Sequence, residues 1–261
     1  MQCSKCRNEA VFFQTYSGRY LCSRHLSVDI EARAKRCIRS HHWMQPGDHI
    51  AVLVSGDRKS AALLCFLKKM TADRRDIRLS AVPACEKDPW TGGLSAAVKV
   101  AESLRIPSIE LSLPGASGAA AGGNVTKIAM AVSLDDIAQG VLGEFLFGIA
   151  ERLEHPPANE WNHLPVICPF IAVPSAELDL YWEIAGTGID IPPCTPCRDT
   201  IVQETGALLE NFSRRHPATK YALLHLAEQL GSRNTAAGAV AGTFKPGAGE
   251  EETSPQKRPN S

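Results

Sequence analysis

Residues 52–64 read VLVSGDRKSAALL. A short apolar run ends at Ser55-Gly56, crosses three charged residues, and enters a segment with the apolar spacing of a helix. A strand that turns tightly into a helix is the layout in which α/β proteins hold a phosphate. Backbone N–H groups and the helix N-terminus converge there on the anion. This turn carries a single glycine, and Asp57-Arg58-Lys59 occupies its middle.

Working outward, the whole apolar run HIAVLVS (49–55) is of the type buried in parallel sheets, and Pro46-Gly47-Asp48 before it marks a turn. A helix is expected near 60–70, a second strand in IRLSAVPA (77–84), a helix over 94–105 and a third strand in IPSIELSL (106–113). Residues 114–124, PGASGAAAGGN, are a loop of small residues, too glycine-rich for a stable helix. VTKIAMAVS (125–133) is the fourth strand. Asp135-Asp136 opens a helix to Phe147, with acidic side chains where the helix dipole favours them. HLPVICPFI (163–171) is a short fifth strand, and helices follow at 175–186, 199–214 and 217–230. Residues 232–261 are expected to be disordered. Strands alternating with helices imply α/β architecture: a parallel sheet of about five strands, flanked by helices on both faces.

The 261 residues are 44% apolar, enough for a packed core. Formal net charge is zero but unevenly spread: residues 1–80 hold 15 Lys/Arg and 7 Asp/Glu, the remainder 13 and 21. A basic first third points to a polyanionic partner or to a solvated helix face. Residues 28–44 show helical spacing through Ile30, Ala34, Cys37 and Ile38, with Arg33, Lys35, Arg36 and Arg39 on the other face. His41-His42-Trp43 reads as the end of that helix, with stacking on RNA as the alternative. No charged start precedes an apolar run, and no apolar stretch reaches the ~18–20 residues that span a bilayer, so a cytoplasmic protein without a membrane partner is expected.

Five of the nine cysteines fall into CxxC or CxxH pairs, a spacing that suits metal ligation in a reducing compartment. Cys3-x2-Cys6 is followed, fifteen residues later, by Cys22-x2-His25. Each pair forms a tight turn that offers two side chains to one tetrahedral ion. Three thiolates and an imidazole suit structural zinc. The intervening AVFFQTYSGRYL reads as a hairpin turning at Ser17-Gly18, a stretch too small to fold without a metal staple. Cys37, Cys65 and Cys85 sit in apolar or mixed contexts and read as packing residues.

Zinc hairpin, basic helix, then VLVSG…KSAALL is an order that resembles the archaeal and bacterial tRNA 2-thiouridine synthetases of the PP-loop ATP-pyrophosphatase superfamily. The family loop reads SGGKDS; Ser55, Gly56 and Ser60 match it, while Asp57, Arg58 and Lys59 replace its glycine, lysine and aspartate. AVSLDDIAQGVL (131–142) resembles the family's GHNLDDxAQTVL, with Ala131-Val132 in place of Gly-His. ICPFIAVPSAEL (167–178) resembles KPLxxxPEKEV and keeps Pro169 and Pro174. The resemblance spans residues 1–230 and implies a Rossmann-like fold of the adenine nucleotide alpha hydrolase type. It divides the chain into a zinc module (1–27), a basic linker helix (28–46), a PP-loop domain (47–190), a C-terminal helical part (191–231) and a tail (232–261).

The family adenylates a tRNA base with ATP, releases pyrophosphate and installs sulfur. By that resemblance, Ser55, Gly56, Asp57, Arg58, Lys59 and Ser60 would contact MgATP, with Asp135 and Asp136 nearby. Helix capping is the plain alternative for the two aspartates. Cys194 and Cys197, in IPPCTPCRD, are the candidate sulfur-handling pair, with Cys194 the better match; they could share a metal with Cys168, or form an inert surface pair. The family's middle CxxC falls where this chain has only Gly115–Asn124, so no iron–sulfur cluster is expected without a partner's ligands. The implied partners are tRNA, a sulfur-carrier protein and a second copy of the chain. Asp57 adds a Cβ and a negative charge where triphosphate oxygens would lie, and Lys59 replaces an acidic residue. A non-catalytic relative that binds RNA or a partner enzyme is therefore the competing reading, and an ATP-dependent enzyme with another substrate is a third.

Overall fold

The computed structural model describes residues 1–83, 93–110, 124–148, 160–161, 164–185, 188–191 and 200–235. A two-stranded antiparallel hairpin, β1 (Phe12–Gln14) and β2 (Arg19–Leu21), comes first, paired Phe12 to Leu21 and Gln14 to Arg19. Gly18 closes its turn at φ 67, a conformation that only glycine adopts without strain. Helix α1 (Ser23–Ser40) begins directly after Cys22, earlier than the sequence pattern suggested, and so takes His25 into its first turns. Leu26, Ile30, Ala34, Cys37 and Ile38 form its buried stripe. Its end at His41 agrees with the sequence reading, and the His41 and Trp43 rings stack with centroids 4.4 Å apart.

The main sheet has the order β4-β3-β5-β7-β6, from β3 (His49–Val54), β4 (Arg78–Pro83), β5 (Lys127–Ala129), β6 (Glu160–Trp161) and β7 (Leu164–Ile167). The first four strands are parallel, and the two-residue β6 runs antiparallel to β7 at the edge. The expected strand at 106–113 reduces to one parallel bridge between Ala81 and Ser108. Pro107 supplies a carbonyl to Ala81 N–H but has no N–H of its own to extend a ladder. Between the strands and after them lie α2 (Arg58–Thr71), α3 (Gly93–Ser103), α4 (Leu134–Leu146), α5 (Ser175–Ala185), α6 (Thr200–Arg215) and α7 (Thr219–Thr235). Helix α7 extends to Thr235, past the expected start of the tail at 232; the rest of the tail and most of 114–124 lie outside the described residues.

Helix α2 is the centre of the core. Ala61, Ala62, Leu63, Leu64, Phe66 and Leu67 are all buried, because this helix lies between the sheet and α5. Phe66 meets Phe170 with ring centroids 5.5 Å apart. Truncating such a buried ring costs about 3–5 kcal/mol, so the helix that starts at the phosphate-type turn is firmly held. The chain leaves β3 toward β4 on one side and returns to β5 on the other. The C-terminal ends of β3 and β5 therefore flank the topological switch point, where open α/β sheets bind ligands.

Candidate functional site

Two loops meet at that switch point. After β3, Gly56 takes φ 79, the left-handed conformation that lets the strand turn sharply into α2. Asp57 is the N-cap: its Oδ1 accepts from Ser60 N–H at 2.8 Å, and Ser60 Oγ donates to the Asp57 carbonyl at 3.0 Å. Asp57 thus carries a carboxylate to the helix N-terminus, where a phosphate oxygen would otherwise accept the same N–H.

The two cations of the turn are also engaged. Arg58 donates through Nε to the Ile191 carbonyl at 2.8 Å and through Nη1 to Glu183 at 2.6 Å. Lys59 is buried, and its Nζ donates to both oxygens of Asp136, at 3.0 and 2.8 Å. Ser55 is exposed beside them. The chain that leaves β5 supplies the other half. Ser133 is the N-cap of α4 and forms a reciprocal capping box with Asp136. Asp136 Oδ2 accepts from Ser133 N–H at 2.8 Å and Ser133 Oγ at 2.7 Å. Asp136 therefore caps its helix, the plain alternative read from the sequence, and also pairs with Lys59 of the loop.

Asp135 points elsewhere. Its carboxylate accepts from Ser175 N–H at 2.6 Å, at the start of α5, and from Lys220 Nζ on α7 at 2.6 Å. Burial alone would raise its pKa, but these donors outweigh burial and hold it below the ordinary carboxylate value. The sequence reading had not singled out Ser133, Ser175, Glu183 or Lys220. Ser133-x-x-Asp136 was legible as a capping pattern, whereas the others are partners across long sequence separations.

The N-terminal ligands converge as the spacing implied. The ligand atoms of Cys3, Cys6, Cys22 and His25 all lie within 4.8 Å of one another. Cys3 Sγ and Cys22 Sγ are each 3.4 Å from His25 Nδ1, and Cys6 Sγ is 3.7 Å from Cys22 Sγ. A tetrahedral ion with metal–sulfur bonds of about 2.3 Å places its ligands about 3.7 Å apart, so the four atoms fit one metal ion. Burial pushes the Cys3 thiol up, but the N–H groups of Lys5 and Cys22 and the His25 ring bring it down to about 6, which favours the metal-binding thiolate.

Residues 2–27 match the family described as 2-thiouridine synthetase TtuA, N-terminal LIM domain. The tRNA 2-thiolation protein NcsA of Haloferax volcanii is 24% identical over 281 residues, which cover 88% of this chain and 87% of that protein. The chain is thus similar to a tRNA 2-thiolation protein along most of its length, and to the 2-thiouridine synthetases over residues 2–27. Its fold is also that of the U34-tRNA thiolase NcsA from Methanococcus maripaludis with its [4Fe-4S] cluster. The two superpose with TM-score 0.75 over 89% of this chain and 87% of the thiolase, at 19% identity. The parallel sheet with flanking helices read from the sequence is therefore borne out.

The thiolase also corrects one expectation: an iron–sulfur cluster was not expected without a partner's ligands, yet a relative of this fold carries one. Cys194 and Cys197, the candidate thiol pair, lie outside the described residues, as does Cys85. Cys168 neighbours Cys37 electrostatically, and burial pushes both thiols up to about 12. Among the described residues, no helix is long and apolar enough to cross a membrane.

Proposed function

We propose that this chain acts in tRNA 2-thiolation, with ATP taken at the turn between β3 and α2. One observation carries the reading. The turn that matches the phosphate loop and the Leu134-Asp135-Asp136 helix start meet at the switch point, joined by Lys59 and Asp136. They follow a hairpin whose four ligand atoms fit one metal ion, within the stretch that matches the 2-thiouridine synthetase LIM domain. Zinc is the ion that three thiolates and one imidazole favour at that hairpin.

In this reading, ATP enters by exchanging partners. The Asp57 carboxylate leaves Ser60 N–H, which then donates to a phosphate oxygen. Lys59 Nζ passes from Asp136 to the phosphates, and the freed Asp136 carboxylate faces the magnesium ion that accompanies ATP. Giving up the cap costs about 1 kcal/mol, modest against the roughly 8 kcal/mol of micromolar binding. The adenylyl group of ATP passes to a tRNA base oxygen with pyrophosphate leaving, and sulfur then replaces that oxygen with AMP leaving; Cys194 and Cys197 are the candidate sulfur-handling residues. Iron–sulfur binding belongs to the same reading. Outside the N-terminal module, however, the described thiols Cys37, Cys65 and Cys168 are held protonated by burial and make no ligand set, so no step is assigned to a cluster.

The second reading, a non-catalytic relative that binds RNA or a partner, is favoured by the Asp57 carboxylate already seated on Ser60 N–H. Calorimetry with MgATP separates the two. The natural protein is compared with the triple variant Asp57→Gly, Arg58→Lys, Lys59→Asp, followed by assay of AMP release and tRNA thiolation. Micromolar binding with AMP release by the natural protein supports catalysis. Binding by the restored variant alone, or by neither, favours the non-catalytic reading.

A further inference from the structure

At the opposite ends of the strands, the C-terminal ends of α1 and α2 and the entry to β4 enclose a groove of about 560 Å³ that the proposed reaction does not use. Lys35, Arg39 and His42 line it from α1 and the residues just after it, and Arg74 lines it from the segment after α2. Ile38 and Met70 supply apolar floor. Lys35, Ile38 and Arg39 share one face of α1, so one stripe of the helix presents two permanent cations around an apolar residue. No carboxylate lines the groove.

The positive charge is poorly compensated. Glu31 is taken up by Lys69 and the Tyr181 hydroxyl, at 2.7 and 3.0 Å, and reaches Lys35 only at 3.8 Å. Arg74 donates through Nε and Nη2 to both oxygens of Asp76, at 2.8 and 2.6 Å, so its fork is already engaged on the exposed surface. Among the described residues, no ion pair engages Arg39, nor the neighbouring exposed Arg36, Arg75 and Arg78. The C-termini of α1 and α2 each contribute roughly half a negative charge, about one in all, which leaves the rim net positive.

We infer that this groove anchors the sugar–phosphate backbone of RNA, an inference that rests on the tRNA reading above. The guanidinium fork of Arg39 matches phosphate oxygens, Lys35 adds a point charge, and Arg74 joins them by exchanging Asp76 for a phosphate. The Ile38 and Met70 floor accommodates the face of a base, which an acidic peptide would leave unused. The groove and the candidate nucleotide site lie at opposite ends of β3, whose six residues span about 20 Å. That is about six nucleotides of a stacked strand, so one RNA reaches both.

The test is fluorescence-anisotropy titration of a labelled tRNA transcript with the full chain from 50 to 200 mM salt. The variants are Lys35→Ala/Arg39→Ala/Arg74→Ala and the single Arg39→Glu, each checked for an unchanged thermal transition. The expected result is at least tenfold weaker binding by the triple variant, with a log–log salt slope shallower by about 2–3. Wild-type affinity and slope in both variants would overturn the groove while leaving the tRNA reading intact. Absence of tRNA binding by the natural protein at 50 mM salt would overturn both. Displacement of the tRNA by poly-glutamate as readily as by unlabelled RNA would overturn the choice of RNA as occupant.

Discussion

Lys59 changes what the turn binds before any ligand arrives. Its side chain is 10% exposed, while its partner Asp136 is 41% exposed. The lysine therefore depends on the pair more than the aspartate does. Asp136→Asn takes the carboxylate that accepts two hydrogen bonds from a buried ammonium and should destabilise the protein by about 1–3 kcal/mol. Lys59→Met returns Asp136 to solvent and its capping box and should cost less than about 1 kcal/mol. Urea unfolding of the two variants measures the asymmetry, and equal losses would show that burial of Lys59 is not what matters. Asp135 gives a pH test. Its folded pKa is depressed, so its contribution is fully present above the ordinary carboxylate value of about 3.9 and fades as pH falls through the lower folded value. Asp135→Asn should lose stability at pH 7 and show a shallower loss below pH 4. An acid-unfolding curve parallel to that of the natural protein would rule the contribution out. The sequence showed that residues 57–59 depart from the phosphate-loop pattern. It did not show where Arg58 and Lys59 point, because Glu183 and Asp136 are remote in sequence and local spacing carries no record of them.

At the scale of elements, apolar periodicity located β3, α2, α4 and the C-terminal helices well, since each buries a continuous run or stripe. It failed where a short segment lacks the means to complete a ladder, as at Pro107, and it set the start of α1 late although Leu26 continues the stripe of Ile30 and Ala34. The hairpin before α1 has little packing of its own. Strands of three residues with Val11 and Phe13 exposed cannot hold themselves together, and the four ligands must do so. Metal removal by a chelator should therefore unfold β1 and β2 while the four-stranded parallel ladder persists. Amide hydrogen exchange reads both at once: Gly18 N–H and Val11 N–H, bonded to the Gln14 and Leu21 carbonyls, should lose protection, and Val52 in the ladder should keep it. Retained protection at Val11 after metal loss would show that packing on α1 suffices without the ion.

At the scale of the whole molecule, the metal hairpin and the nucleotide-type turn are joined by one continuous polar chain. Glu177, in the first turn of α5, is fully buried and receives Tyr16 Oη–H at 2.6 Å and Gln14 Nε2–H at 3.3 Å from the hairpin. Arg33 of α1 forms an ion pair with Glu177 and donates to the Ala172 carbonyl at 3.1 Å and Tyr221 Oη at 3.2 Å. The basic face read from the sequence thus loses Arg33 to the interior. Two residues before Glu177, Ser175 bonds Asp135 and, through Oγ at 2.8 Å, Ser133, whose capping box fixes the Asp136 that holds Lys59. Glu177→Ala would leave the Arg33 guanidinium only Asp29, at 3.1 Å, as a counter-charge and would take the acceptor from Tyr16 and Gln14; it should cost about 1–3 kcal/mol. The sharper test leaves the chain intact and removes only the metal. Once β1 and β2 let go, Gln14 and Tyr16 no longer bond Glu177, and the start of α5 loses donors that fix its angle. Ser175 N–H should then exchange faster in the metal-free protein, and MgATP or pyrophosphate affinity at the turn should change with it, although the ion lies in a separate element. If Ser175 protection and anion affinity stay the same with and without the metal, the hairpin is an independent appendage. The Glu177 network then serves stability alone.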